Sequence, residues 1–202
     1  INDINSELIN VYMQVRDNVE NVNLHGGEGF PLQVQLEEAQ KRNSGNQIEY
    51  RISGLEEYDY PENEWDCVIS NLALHYIEDI VEIFQKVYRT LKPGGIFLFN
   101  IEHPVFTAGV GQDWIYTDDG KPQYWAIDNY FITGERNTHF LGCDVVKQHH
   151  TLTQIIMGLL NNGFELKVVE EAEPPKEMMD IPGMEDELRR PMMLLVKAIA
   201  KK

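Results

Sequence analysis

The chain has 202 residues, 43% of them hydrophobic and 25% charged, with 33 acidic against 17 basic side chains for a formal charge of −16. That composition supports one globular domain with a packed core and excludes a disordered tail, a collagen-like rod or a low-complexity linker. Basic pairs occur only at Arg189-Arg190, Lys201-Lys202 and Lys41-Arg42, so the clustered positive footprint that a phosphate backbone needs is missing. Nucleic acid and anionic membrane surfaces are therefore not expected as partners. No run reaches the roughly 18–20 consecutive apolar residues of a membrane-spanning helix. The polar start INDINSELIN shows no signal peptide, and Cys67 and Cys143 form no CxxC. Both features lead to the expectation of a cytoplasmic protein with reduced thiols.

In chain order, Ile4, Leu8, Val11, Tyr12 and Val15 form a helical stripe. The glycine-rich stretch Leu24-His25-Gly26-Gly27-Glu28-Gly29-Phe30 follows, and residues 32–43 favour helix. Residues 47–52 suggest a short strand. The run WDCVIS (65–70) reads as a strand buried on both faces. A helix over about 77–91 is predicted from Ile77, Ile80, Val81, Phe84, Val87, Tyr88 and Leu91. It should stop at Lys92-Pro93-Gly94-Gly95, where proline removes a donor and glycine permits a sharp turn. IFLFNIE is then a buried strand, and strand–helix–turn–strand makes a parallel βαβ unit.

Residues 103–150 read as an irregular insert on the substrate side, holding eight aromatic residues and the histidines His103, His139, His149 and His150. Its rings could line a pocket for a small organic acceptor, or hold a cation over their faces, or simply fill a flap. The pair His149-His150 should face opposite ways on a strand, a poor start for a metal site. Thr151 and Gln154 have capping-box spacing, opening a helix that ends at Asn162-Gly163. Residues 164–170 form a strand. After a proline-rich acidic loop, residues 192–200 form the last strand, antiparallel to its predecessor because no crossover helix intervenes.

Ligands of such a chain sit at the carboxyl ends of the parallel strands. Three candidate places follow: Gly26, Gly27 and Gly29, whose backbone could approach a ligand closely; Ser53, Gly54 and Leu55; and Ser70, Asn71 and Leu72 with His75 nearby. Each also has a plainer reading as a loop, a turn or the first turn of a helix.

The segment WDCVISNLALHYIEDIVEIFQKVYRTLKPGGIFLFNIEHP resembles the post-strand-4 and strand-5 region of class I S-adenosylmethionine-dependent methyltransferases. The pieces that carry the likeness, in order, are Trp65-Asp66-Cys67-Val68, Ala73-Leu74-His75 and Leu91-Lys92-Pro93-Gly94-Gly95. EHPVFTA and RRPMMLL further resemble a small bacterial type 11-like branch. The resemblance implies a Rossmann-like α/β methyltransferase fold. Its sheet has seven strands, parallel except for the last, with helices on both faces. It implies a single domain over 1–202, with residues 1–23 as a helical lid. It also implies S-adenosyl-L-methionine as cofactor and a small-molecule methyl acceptor. Ser53, Gly54 and Leu55 would lie against the adenine, although Ser53 stands where the family often has an acid. Ser70, Asn71 and Leu72 would line the methionine end, and His103, after the fifth strand, is the candidate base.

Upstream the sequence departs from the family. His25 falls on the first position of the family's glycine turn, and Phe30 runs almost directly into the helix at 32–43. The helix and strand that should intervene need at least ~15 residues. Two explanations stay open: these elements belong to the protein outside this numbering, or the polypeptide lacks them and binds cofactor weakly or not at all. The first is favoured, because loss of a central strand exposes its neighbours' edges. The alternatives in function are a non-catalytic cofactor-binding relative and, third, an NAD-linked oxidoreductase, for which the GxGxxG spacing is missing.

Overall fold

The computed structural model describes residues 53–140 and 143–202, together with Glu37, Gln40, Lys41 and Arg51. Glu37, Gln40 and Lys41 are helical, within the stretch expected to be so. The expected N-terminal lid, the strand at 47–52 apart from Arg51, and the glycines Gly26, Gly27 and Gly29 lie outside the described residues, as does the chain between Val22 and Leu32.

The βαβ unit forms as its pattern requires. Strand β1 (Trp65–Asn71) leads through a 3-10 turn at Leu74–Tyr76 into helix α1 (Ile80–Thr90), and strand β2 (Leu91–Glu102) returns parallel to β1. Asp79 caps α1 by accepting a hydrogen bond from the Glu82 N–H at 2.9 Å. Helix α1 therefore starts three residues later than its apolar stripe suggests. Between Leu91 and Ile96 the register with β1 slips. There Gly94 has φ +78°, and a Cβ on Gly95 would lie 2.9 Å from the Lys92 carbonyl and 3.2 Å from that of Asp66. The LKPGG turn thus needs glycine for both conformation and close approach.

Four described strands make the main sheet, in the order β1-β2-β8-β7, where β7 is Phe164–Glu171 and β8 is Met193–Ala200. Strand β8 is antiparallel to both neighbours, so β1, β2 and β7 share one direction and only the last strand opposes it. Among the described residues the fold is α/β with a four-stranded mixed main sheet. Strand β1 is also not buried on both faces. Trp65 is 43% exposed, and among the described residues β1 pairs only with β2.

Helix α3 (Leu152–Asn161) packs with α1 on one sheet face, and its capping box is complete, with Thr151 and Gln154 each bonding the other's backbone N–H. Phe84 of α1 meets Phe97 and Phe99 of β2, and Phe97 meets Phe164 of β7. Gly158 lets the two helices approach: a Cβ there would sit 3.2 Å from both Phe84 and Val81.

Residues 103–150 are not irregular. After a single helical turn, α2 (Pro104–Thr107), they form two antiparallel hairpins. One joins β3 (Gly109–Tyr116) to β4 (Pro122–Ile127), and the other joins β5 (Gly134–Phe140) to β6 (Cys143–His149). The first is reversed at Asp119-Gly120, with Gly120 at φ +79°.

Candidate functional site

The carboxyl ends of β1 and β2 lie side by side, Asn71 opposite Asn100. The Asn100 amide donates to Asn71 Oδ1 at 3.1 Å, and the Leu72 N–H donates to the Asn100 carbonyl at 2.9 Å. Leu72 has φ +55°, a left-handed conformation that costs a branched side chain energy and that clusters at functional sites. Two buried polar atoms here, Ser70 Oγ and Asn100 Oδ1, have no hydrogen-bond partner among the described residues. A strained, polar, incompletely satisfied strand end has room for a ligand's hydrogen bonds.

His75 is 3% exposed and belongs to the same corner. Its Nδ1 accepts a long hydrogen bond from the Glu102 N–H at 3.4 Å, and its Nε2 stands 3.9 Å from Glu102 Oε1. Burial pushes its pKa down to about 4, aided by Lys147 and His150 and opposed by Glu102. The ring is therefore neutral at physiological pH. The structure thus brings Ser70, Asn71, Leu72 and His75 together. Ser53, Gly54 and Leu55 form a separate turn, in which the Gly54 carbonyl accepts from the Glu57 and Tyr58 N–H groups. No described hydrogen bond joins that turn to residues 70–75.

His103 directly follows β2 and is 3% exposed. Its Nδ1 accepts from the Val105 N–H at 3.0 Å, capping α2. The remaining proton then sits on Nε2, 2.9 Å from Glu171 Oε1, with the oxygen off the line of a good hydrogen bond. Burial lowers the His103 pKa, and Glu171 opposes the shift. Its Nδ1 is thus engaged in the cap, while Nε2 meets Glu171 in a close but poorly aligned contact. His149 and His150, expected to face opposite ways, are both buried. His149 donates to the Tyr130 carbonyl at 2.8 Å and contacts Thr107 Oγ1 at 2.6 Å, while His150 donates to the Ile77 carbonyl at 2.8 Å. His139 is exposed and pairs with Asp144 at 2.9 Å. Among the described residues no group of His, Cys, Asp and Glu is arranged to hold a metal ion.

Sequence reasoning missed the strongest electrostatic feature. Lys147 on β6 is 2% exposed, and its ammonium lies 2.5 Å from Glu102 Oε1 and 3.3 Å from Gln112 Oε1. The pair spans 45 positions. Its one local signal is the inward place of Lys147, two residues from His149 on the same strand face. The aromatic insert also differs from expectation. The guanidinium of Arg190 lies 4.2 Å from the Trp125 ring, 4.8 Å from Phe106 and 5.3 Å from Trp114, and Glu187 grips it in bidentate fashion at 2.9 and 3.0 Å. These rings hold the chain's own cation.

Residues 29–99 match the family described as "Methyltransferase domain". A chain from Listeria monocytogenes, assigned as an S-adenosylmethionine dependent methyltransferase, is 42% identical with a TM-score of 0.80; the alignment covers 84% of this chain and 77% of that one. The S-adenosylmethionine dependent methyltransferase from Mesorhizobium loti is 35% identical with a TM-score of 0.75, covering 83% and 76%. An uncharacterized protein of Haemophilus influenzae is 27% identical over 143 residues, and the chain spans 55% of its length. With the strand order and the polar strand ends above, these likenesses establish that the chain belongs to the S-adenosylmethionine-dependent methyltransferase family.

Proposed function

We propose that the protein transfers a methyl group from S-adenosyl-L-methionine to a small-molecule acceptor. The single observation that carries this is the likeness over most of the chain to S-adenosylmethionine dependent methyltransferases, at 42% identity and a TM-score of 0.80 for the Listeria monocytogenes chain. The residues at hand fit the cofactor. Ser70 Oγ and Asn100 Oδ1 offer unused hydrogen-bonding capacity beside the left-handed turn at Leu72. In this reading Ser70, Asn71, Leu72 and His75 hold the methionine end. Ser53, Gly54 and Leu55 approach the adenine, with Gly26, Gly27 and Gly29 as the glycine loop. The seven-stranded sheet of the family, of which four strands are described, belongs to the same proposal, as does a cytoplasmic location.

When bound, the cofactor supplies a methyl group already activated by a sulfonium. The protein's work is alignment and exclusion of water. Asn71 and Asn100 fix each other, and Asn100 fixes the Leu72 turn. A neutral His75, bonded to the Glu102 N–H, gives the site a polar wall without a competing positive charge. His103 as base requires release of its Nδ1 cap or of Glu171. Changing His103 to Asn, which can still cap, tests this: turnover should fall if the ring takes the proton and persist if the residue only shapes the strand end.

Calorimetric titration separates the readings. S-adenosylmethionine should bind and NAD should not. Binding without formation of S-adenosylhomocysteine across amine, hydroxyl, thiol and carboxylate acceptors would favour the non-catalytic relative. Binding of NAD in place of S-adenosylmethionine would overturn the proposal.

A further inference from the structure

Glu102 touches both the candidate cofactor corner and the insert behind it. Its N–H meets His75, while its side chain, 8% exposed, meets Lys147 of β6 through Oε1. The second carboxylate oxygen, Oε2, is buried and has no hydrogen-bond partner among the described residues. Lys147 also orients the Gln112 amide: its ammonium can only donate, so it takes Gln112 Oε1 and turns Nε2 away, and Nε2 too is buried without a described partner. A buried carboxylate oxygen and a buried amide N–H, both unused and both arranged by one lysine, are a costly arrangement unless a ligand completes it.

We propose that Glu102 is a catalytic residue whose Oε2 receives the acceptor's hydrogen bond and then its proton, with Lys147 as a positioning residue and Gln112 as a neighbouring donor. The inference rests on the methyltransferase reading above. It names the acceptor class as a molecule that presents a neutral O–H or N–H at the atom to be methylated. Glu102 and Lys147 are paired and burial keeps His75 neutral, so these three groups together present no net charge to an anion or a quaternary cation. As the acceptor's oxygen or nitrogen bonds the methyl carbon, the carbon–sulfur bond breaks with its electron pair left on sulfur. The acceptor's proton passes to Glu102 Oε2, which keeps the new product neutral.

The test does not need the acceptor. Sinefungin carries an amine where the transferred methyl stands, so its N–H groups report on a carboxylate facing that point, and S-adenosylhomocysteine lacks them. Calorimetry on the full chain should give tighter binding of sinefungin than of S-adenosylhomocysteine. In Glu102→Gln, sinefungin affinity should fall at least about tenfold, as loss of a charge-assisted hydrogen bond requires. S-adenosylhomocysteine affinity should stay within about twofold, because that analogue places no donor there. The double variant E102Q/K147M, which removes both buried charges, keeps the test available if the single variant does not fold. Equal changes for the two analogues, or none for either, would overturn the role of Glu102 while leaving the cofactor reading intact. Failure of both analogues to bind the unaltered chain would overturn both.

Discussion

Replacing Lys147 by Met leaves the Glu102 carboxylate buried without its cation. The Lys147 and Glu102 side chains are 2% and 8% exposed and meet at 2.5 Å, so solvent screening offers little relief. Removing one member of a buried pair costs about 3–5 kcal/mol, whereas replacing both by apolar or neutral groups of like size is close to neutral. For a chain of this size each kcal/mol moves Tm by about 2–4 °C, so Lys147→Met should lower it by roughly 6–20 °C. The double variant E102Q/K147M should recover most of that loss. Urea unfolding followed by circular dichroism gives the free energies, and the four chains form a double-mutant cycle. A single-variant loss below about 1 kcal/mol, the range of exposed pairs, would show that the pair is solvated and refute the reasoning.

Other predictions concern the scaffold. Thr151→Ala removes one half of the capping box on α3 and should cost about 1 kcal/mol in urea unfolding. Gly158→Ala should be nearly neutral, since helix propensity offsets a 3.2 Å contact with Phe84, but Gly158→Leu should cost about 1–3 kcal/mol by overpacking against α1. Stability should also fall with acid. His75, His103, His149 and His150 all have pKa values lowered in the fold, chiefly by burial. The unfolded chain therefore binds more protons below the ordinary value of 6.5, and the contribution is complete above 6.5 and lost as pH falls toward the His75 value of about 4. Tm measured between pH 7.5 and 4.5 should decline below 6.5, and less so in His75→Asn. A flat profile would contradict the burial of these rings.

Short-range patterns carried most of what the sequence revealed. The stripe from Ile80 to Val87, the LKPGG turn and the Thr151–Gln154 box are each written within a few residues. The antiparallel last strand followed from the lack of a crossover helix. The first hairpin is blurred because Tyr124 and Trp125 are adjacent and so face opposite ways, although Asp119-Gly120 between Ile115-Tyr116 and Tyr124-Trp125 is a hairpin signal, and the second because GERNTHF and CDVVKQH are mostly polar. The Glu102–Lys147 pair and the Arg190 stack join residues far apart in the chain, which no local pattern encodes. Ser70, Asn71, Leu72 and His75 were legible as a candidate because a mostly apolar run passing into polar residues marks a strand end, and strand ends are where α/β sheets take ligands.

The central claim is that the cofactor lies across the carboxyl ends of β1 and β2. A crystal structure grown with S-adenosylhomocysteine tests it most directly. The account predicts the methionine end of that molecule against Ser70, Asn71 and Leu72, with its sulfur turned toward Glu102. Density for it elsewhere on the chain, or a filled and ligand-free corner at saturating concentration, would contradict it.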